Sequence, residues 1–138
     1  MFSGYKLIQH TADTGILAQG ANLSDAFAFM ASGLFNLITD TSTLKQDKTV
    51  SISFDADNYE NLLVKWLNEL IYIFDTQRLV FCRFEVAVSS AFKLTAICFG
   101  QKVTADIPLH HYVKGATYHL LKVKKITGGY KLQVLLDI

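Results

Sequence analysis

One amphipathic stretch, from about Tyr59 to Phe74, limits the possible folds of this chain more than any other segment. Its apolar residues recur at helical spacing and share one face. They are Leu63, Trp66, Leu67, Leu70 and Phe74. A helix with so much apolar area needs a sheet to lie on. Asp57, with Glu60 three residues later, predicts a capping box at the start of this helix.

A second helix is predicted earlier in the chain. Ser24 is expected to cap its first turn, and Asp25 suits the positive end of the helix dipole. Its apolar positions have helical spacing and belong to the core: Phe27, Met30, Ala31, Leu34, Leu37 and Ile38. The polar residues 39–43 are expected to end it.

The remaining segments have the alternating pattern of half-buried strands. The clearest are at about residues 5–9, 16–18, 49–54, 78–88, 92–99, 113–126 and 130–138. Ser89-Ser90-Ala91 and Gly128-Gly129 are predicted turns between strand pairs. Two helices among about seven strands predict a two-layer α+β fold, with the helices on a mostly antiparallel sheet.

The composition narrows the class of protein. The chain has 138 residues, which we interpret as one domain spanning 1–138, and its hydrophobic fraction of 51% argues against disorder. A net charge of +1 excludes the overall basic character of a dedicated nucleic-acid binder. Lys122, Lys124 and Lys125 still predict a local basic strip, either solvated or in contact with a partner.

Cellular location is inferred from what the sequence lacks. No apolar run is long enough to span a membrane, and the first residues do not resemble a secretory signal. Cys82 and Cys98 match no metal or redox motif, so we interpret them as reduced core residues. A cytoplasmic protein without a membrane partner is expected.

Acidic groups near the two ends of the chain are the main candidates for chemistry. Asp13 lies in a polar corner between apolar runs, and Asp137 precedes Ile138 at the end of the last predicted strand. If that strand is held in a sheet, the Asp137 side chain and the Ile138 carboxylate lie close together and repel each other. Hard oxygen ligands of this kind suit Ca²⁺, Mg²⁺ or Mn²⁺.

Simpler interpretations of the same residues remain open. Asp13 could only close a turn, and Asp137 could be an ordinary exposed strand end. His10 could orient Asp13 as a neutral partner, or serve the backbone of the turn. His110 and His111 make a poor zinc pair, because no spaced Cys or His completes the site.

Four segments taken together resemble the archease family. They are His10-Thr11-Ala12-Asp13 with Gly20, then residues 61–70, then residues 113–119, and finally Leu136-Asp137-Ile138. They follow the family's order and spacing over essentially the whole chain. Gly115 stands where many members have a bulkier residue, and residues 41–48 carry no recognisable signature.

This resemblance implies an archease-like fold and a function. Archeases assist RNA ligases of the RtcB type, promoting guanylylation and repeated turnover in tRNA splicing or RNA repair. The resemblance places a metal site at Asp13, Asp137 and Ile138, with Ca²⁺ as the first expectation and Mg²⁺ or Mn²⁺ as alternatives. It places Lys114 in the same functional patch, where we also place His10.

We therefore expect an accessory protein that contributes no catalytic residue of its own and reaches RNA indirectly or through the ligase. One alternative is a stand-alone metal-dependent hydrolase or nucleotidyl-transfer enzyme that uses the same carboxylates. The chain has no phosphate-binding glycine loop and no Ser or Cys nucleophile motif to favour it. Another alternative is a chaperone-like binding module.

Overall fold

The part of the chain that the structure describes forms seven strands and two α-helices. The computed structural model describes residues 2–9 and 13–138. In chain order the elements are β1 (Gly4–Gln9), β2 (Thr14–Gly20), α1 (Leu23–Ile38), a short 3-10 helix (Thr41–Thr43), β3 (Lys48–Asp55), α2 (Tyr59–Gln77), β4 (Leu79–Val88), β5 (Lys93–Lys102), β6 (Gly115–Ile126) and β7 (Gly129–Asp137). The predicted α+β class, with helices on antiparallel strands, is confirmed.

The strands form two sheets instead of the single sheet that was considered from the sequence. One sheet has four strands in the order β1-β2-β7-β6, and the other has three in the order β3-β5-β4. All of these pairings are antiparallel. The last strand of the chain is therefore an interior strand of the larger sheet.

Both helices contact both sheets, which places the core between them. Helix α1 packs against β2 in one sheet and β4 in the other, where Phe35 meets Phe81 edge-on at 5.4 Å between ring centroids. Helix α2 packs against β6, and its Trp66 ring meets Phe84 of β4. The buried Trp66 Nε1 donates to the Phe27 carbonyl at 3.0 Å and so joins the two helices.

The cap predicted for α1 was wrong. Asn22 is the N-cap: its backbone is extended, and its side chain accepts from the Asp25 N–H at 2.8 Å. Ser24 lies one residue inside the helix, where its hydroxyl accepts from the Val88 N–H at 2.9 Å. The serine therefore links α1 to β4, a contact between residues 64 positions apart that local pattern does not reveal.

The predicted start of α2 at Tyr59 is confirmed, but the cap predicted for it was wrong. Asn58, not Asp57, is the N-cap, and its side chain accepts from the Asn61 N–H at 2.7 Å. The helix also continues beyond Phe74 to Gln77. Arg78 caps the end of the helix: its backbone is left-handed (φ 53°), and its N–H donates to the Phe74 carbonyl.

The two cysteines are free thiols, as predicted. Cys98 is fully buried in the core, and this burial raises the pKa of its thiol to about 12. Cys82 is half-buried, and desolvation raises its pKa as well. A raised pKa leaves little thiolate at neutral pH, so neither cysteine has the properties of a reactive nucleophile. Among the described residues, no helix is long and apolar enough to cross a membrane.

Replacing Leu70 with alanine should destabilise the fold. Leu70 is fully buried on α2, so its truncation removes core contacts and leaves a cavity. A loss of about 2–5 kcal/mol in the free energy of unfolding is expected from urea denaturation. The matched control is Tyr72→Ala on the same helix, because Tyr72 is 60% exposed and its loss should cost far less. Equal losses in both variants would contradict this assignment of the core face.

Candidate metal site at one end of the four-stranded sheet

The interior position of β7 brings the two ends of the chain together. Thr14 at the start of β2 pairs with Leu136 near the end of β7. Asp13 directly precedes Thr14, and Asp137 directly follows Leu136. Because neighbouring antiparallel strands lie about 4.8 Å apart, the two aspartates are carried at the same end of the sheet on adjoining chain segments.

Strand alternation determines which face Asp137 occupies. Ile16 and Val134 pair with each other, and both are fully buried on the face that meets the helices. Leu136 is on that same face, so Asp137 lies on the opposite face, which we call the outer face. Asp137 is exposed there, whereas Asp13 is half-buried in a bend just before β2.

The start of β6 reaches the same end from the other side of β7. Gly115 pairs with Asp137, and the Lys114 N–H donates to the Asp137 carbonyl at 2.7 Å. The neighbouring Val113 is only 3% exposed and anchors this segment in the core. The backbone around Lys114 is therefore held against the end of β7, while the Lys114 side chain remains exposed.

Asn68 was not identified as a site residue from the sequence. Its Oδ1 accepts from the Ala116 N–H at 2.9 Å, which attaches the start of β6 to α2. The sequence places Asn68 only on the polar side of a helix, and no local signal tells which strand it will meet. Asn68 acts on the candidate site indirectly, by holding the strand that flanks Asp137.

The glycine at position 115 does not mark a crowded position. A Cβ added to Gly115 would lie 3.4 Å from Asn68 Oδ1, which is ordinary van der Waals contact. The backbone therefore has room for a bulkier residue at this position.

Four of the five predicted site residues are gathered at this end of the sheet: Asp13, Lys114, Asp137 and Ile138. The side chain of Ile138 is 38% exposed. His10 lies outside the described residues, so its predicted role stays a prediction. We predicted that Asp13 lies close to the last residues of the chain. The pairing of β2 with β7 supports this prediction.

The charges at this end of the sheet have no cationic partner within the described part of the chain. Among the described residues, the one ion pair joins Arg83 to Glu85 on β4, which is in the other sheet. The described residues also contain no group of three or more His, Cys, Asp or Glu side chains placed to hold a metal. The candidate donor set is of another kind: two aspartates and a main-chain carboxylate. These hard oxygen donors fit a divalent cation in chemical type.

A groove next to the site is lined by Lys114 and by residues of α2. Its volume is about 340 Å³, and its polar residues include Asn68, Tyr72 and Asp75. A larger depression of about 480 Å³ lies on the three-stranded sheet, between Ser51, Glu85 and Ile97. That second depression lies on the sheet that does not carry Asp13 or Asp137. The groove at Lys114 adjoins the candidate site through Lys114 and Gly115, and neither Asp13 nor Asp137 lines it.

The fold and the residues at this end of the four-stranded sheet define a class of protein. It is a small α+β protein that presents acidic groups at one end of the sheet. The family model described as "Archease protein family (MTH1598/TM1083)" matches residues 5–138. Protein archease of Methanosarcina mazei is 32% identical over 97% of this chain and 95% of its own length. The chain belongs to the archease family.

Two solved structures are similar in fold. The solution structure of Methanobacterium thermoautotrophicum protein 1598 has a TM-score of 0.86 and 27% identity, covering 99% of this chain and all of its own. The crystal structure of a Thermotoga maritima protein, described as an archease and possible chaperone, has a TM-score of 0.61 and 18% identity over the full length of both chains. The second likeness supports the fold alone. The names of these relatives state no enzymatic activity.

Neutralising Asp137 should stabilise the metal-free protein. Asp13 and Asp137 are like charges on adjoining segments, and such pairs are destabilising by a few tenths of a kcal/mol. We expect Asp137→Asn to raise the free energy of unfolding by about that amount in EDTA at pH 7. The exposed Asp47→Asn serves as a control for the loss of one charge elsewhere. If Asp137→Asn is no more stable than Asp47→Asn, the two carboxylates do not repel measurably.

Proposed function

We propose that this archease is a metal-binding accessory factor that promotes guanylylation and multiple turnover of an RtcB-type RNA ligase. The observation that carries the proposal is the pairing of Thr14 with Leu136, whose chain neighbours Asp13 and Asp137 are thereby carried to the same end of the larger sheet. Membership in the archease family is the second support. The processes proposed are tRNA splicing and RNA repair, in the cytoplasm.

The proposed ligands are the side chains of Asp13 and Asp137 and the carboxylate of Ile138. Each supplies hard anionic oxygen, so the order of preference is Ca²⁺, then Mg²⁺ or Mn²⁺. A bound cation would relieve the repulsion among these carboxylates and supply a local positive charge that can meet phosphate oxygens. The role of the protein is to hold the three groups in place through β2 and β7.

Lys114 extends the proposed site toward a partner. Its side chain is exposed and lines the groove beside α2, while its backbone is hydrogen bonded to Asp137. A lysine ammonium in this position can bind a phosphate group or a carboxylate of the ligase. Asp13, Asp137 and Lys114 would thus form one charged contact surface. The bond-forming chemistry would remain with the ligase.

Metal affinity should depend on each proposed ligand. Removing one charged oxygen ligand lowers cation affinity, so Asp13→Asn and Asp137→Asn should each weaken Ca²⁺ binding more than about tenfold in calorimetry. Adding one alanine after Ile138 should have a similar effect, because it converts the carboxylate into an amide. The Asp47→Asn variant should bind Ca²⁺ as the parent protein does. Undiminished affinity in the extended chain would remove Ile138 from the ligand set.

Ligase turnover should require the same residues. With an RtcB-type ligase in tenfold deficit over RNA ends, the parent protein should permit many turnovers, and Asp13→Ala or Asp137→Ala should lose most of this stimulation. Asp47→Ala is the matched control. Full stimulation by both site variants would contradict the proposal. Turnover of GTP or RNA without the ligase would instead support a stand-alone enzyme.

A chaperone-like module is the second candidate, favoured by the description of the Thermotoga maritima protein as a possible chaperone. The two candidate functions predict opposite effects of replacing the aspartates. A general chaperone should suppress the aggregation of unrelated clients without metal, and equally well after Asp137→Ala. An accessory factor should act on the ligase and lose that action in the variant.

A further inference from the structure

The outer face of the four-stranded sheet carries a cluster of lysines that the metal site does not use. Residues paired across neighbouring strands project from the same face of a sheet. One transverse row contains Lys6, Leu17, Gln133 and Lys122, and the next contains Gly4, Gln19, Lys131 and Lys124. Four lysines therefore share this face, and we call them the lysine cluster: Lys6, Lys122, Lys124 and Lys131.

This cluster is a concentration of charge that the rest of the molecule does not balance locally. Lys124 and Lys131 pair directly across β6 and β7, an arrangement of like charges that destabilises a sheet. Within the described residues no carboxylate forms an ion pair with any of the four lysines. The chain as a whole has a net charge of only +1, so these four lysines on one face are a local excess of positive charge.

Protection of a sheet edge does not account for the cluster. Lysines on an exposed edge strand prevent edge-to-edge association, and Lys122 and Lys124 on β6 could serve that purpose. Lys6 could serve it too, because β1 is the opposite edge strand, but Lys131 is on β7, which lies inside the sheet. Charges spread across all but one strand of the sheet form a surface, not an edge.

We propose that the outer face binds the phosphate backbone of single-stranded RNA through the lysine cluster. The proposal goes beyond the proposed function, in which RNA is reached through the ligase, and the choice of RNA among polyanions rests on that function. A cluster of lysines that form no ion pair within the described residues matches a chain of phosphates. Asp137 lies on the same face, six residues from Lys131 along β7, which is about 20 Å.

Lys131 and Asp137 therefore lie at opposite ends of β7, on the same face of the sheet. RNA held at the Lys124–Lys131 end lies on the face that leads toward the carboxylate end, where the ligase is proposed to dock. Lys125 does not belong to this surface, because it pairs with Tyr130 and projects from the other face. The basic strip expected from the sequence is thereby reduced to Lys122 and Lys124 and extended by Lys6 and Lys131.

Salt dependence of RNA binding tests the proposal. We would measure the anisotropy of a fluorescent 20-nucleotide single-stranded RNA with the protein alone, in EDTA and without ligase. Contacts to three or four phosphates predict a slope of about −2 to −3 for log affinity against log salt. The triple variant Lys122→Gln, Lys124→Gln, Lys131→Gln should bind at least tenfold more weakly, with a slope smaller in magnitude by about 2.

The matched control is the triple variant Lys45→Gln, Lys48→Gln, Lys93→Gln. It loses the same charge from an exposed loop and from the three-stranded sheet, so its RNA affinity and slope should stay close to those of the parent. Thermal unfolding of both variants establishes that each is folded. Equal weakening in both variants, or no binding at low salt, would overturn the proposal. So would equal competition by polyglutamate, which would indicate an acidic protein partner.

The failures of the two proposals can be told apart. Asp137→Asn should lose calcium affinity but keep its RNA affinity, because it removes a negative charge from the outer face. The triple variant of Lys122, Lys124 and Lys131 should keep its calcium affinity and lose RNA affinity. If the lysine variant also retains full RNA affinity, the cluster is not an RNA site, whatever the outcome of the calcium and ligase measurements.

Discussion

The pairing of β7 with β2 on one side and β6 on the other is the interaction on which the rest of the structure depends. Because the last strand is an interior strand, its backbone is hydrogen bonded along both edges and its end cannot fray freely. This pairing carries Asp137 to Asp13 and to the backbone of Lys114. Beyond a register shift in β6 between Thr117 and Lys122, β7 also aligns Lys131 with Lys124, so the pairing of β7 with its neighbours positions both charged regions.

Packing against the helices allows β7 only one register with its neighbouring strands. A one-residue slip of β7 would move its fully buried residues, Leu132, Val134 and Leu136, from the face that meets α1 to the outer face. Helix α2 adds a second constraint, since Asn68 binds the Ala116 N–H at the start of β6. The apolar core thus determines the positions of exposed polar groups that contribute little to stability themselves. Surface charges that belong to rigid strands can be presented in fixed geometry.

Local pattern was sufficient to predict the elements but not their ends or their partners. The stripes of α1 and α2 and the alternation of the strands depend on burial, which repeats over many residues and tolerates single exceptions. Caps depend on one hydrogen bond each, so Ser24 and Asp57 were plausible caps that Asn22 and Asn58 replace. Ser24 instead bonds to Val88, and Asn68 to Ala116; both are contacts between distant residues that depend on how the elements pack.

The sequence by itself determined the class of fold and the likeness to the archease family, and it identified Asp13 and Asp137 as candidate carboxylate ligands. These follow from residue type and spacing, which are local properties. Only the tertiary structure decided that the strands divide into two sheets, that β7 is an interior strand and that Lys6 and Lys131 join Lys122 and Lys124 on one face. The reason is physical: strand partners are chosen by the burial of whole faces against the helices, and that choice depends on all the elements together.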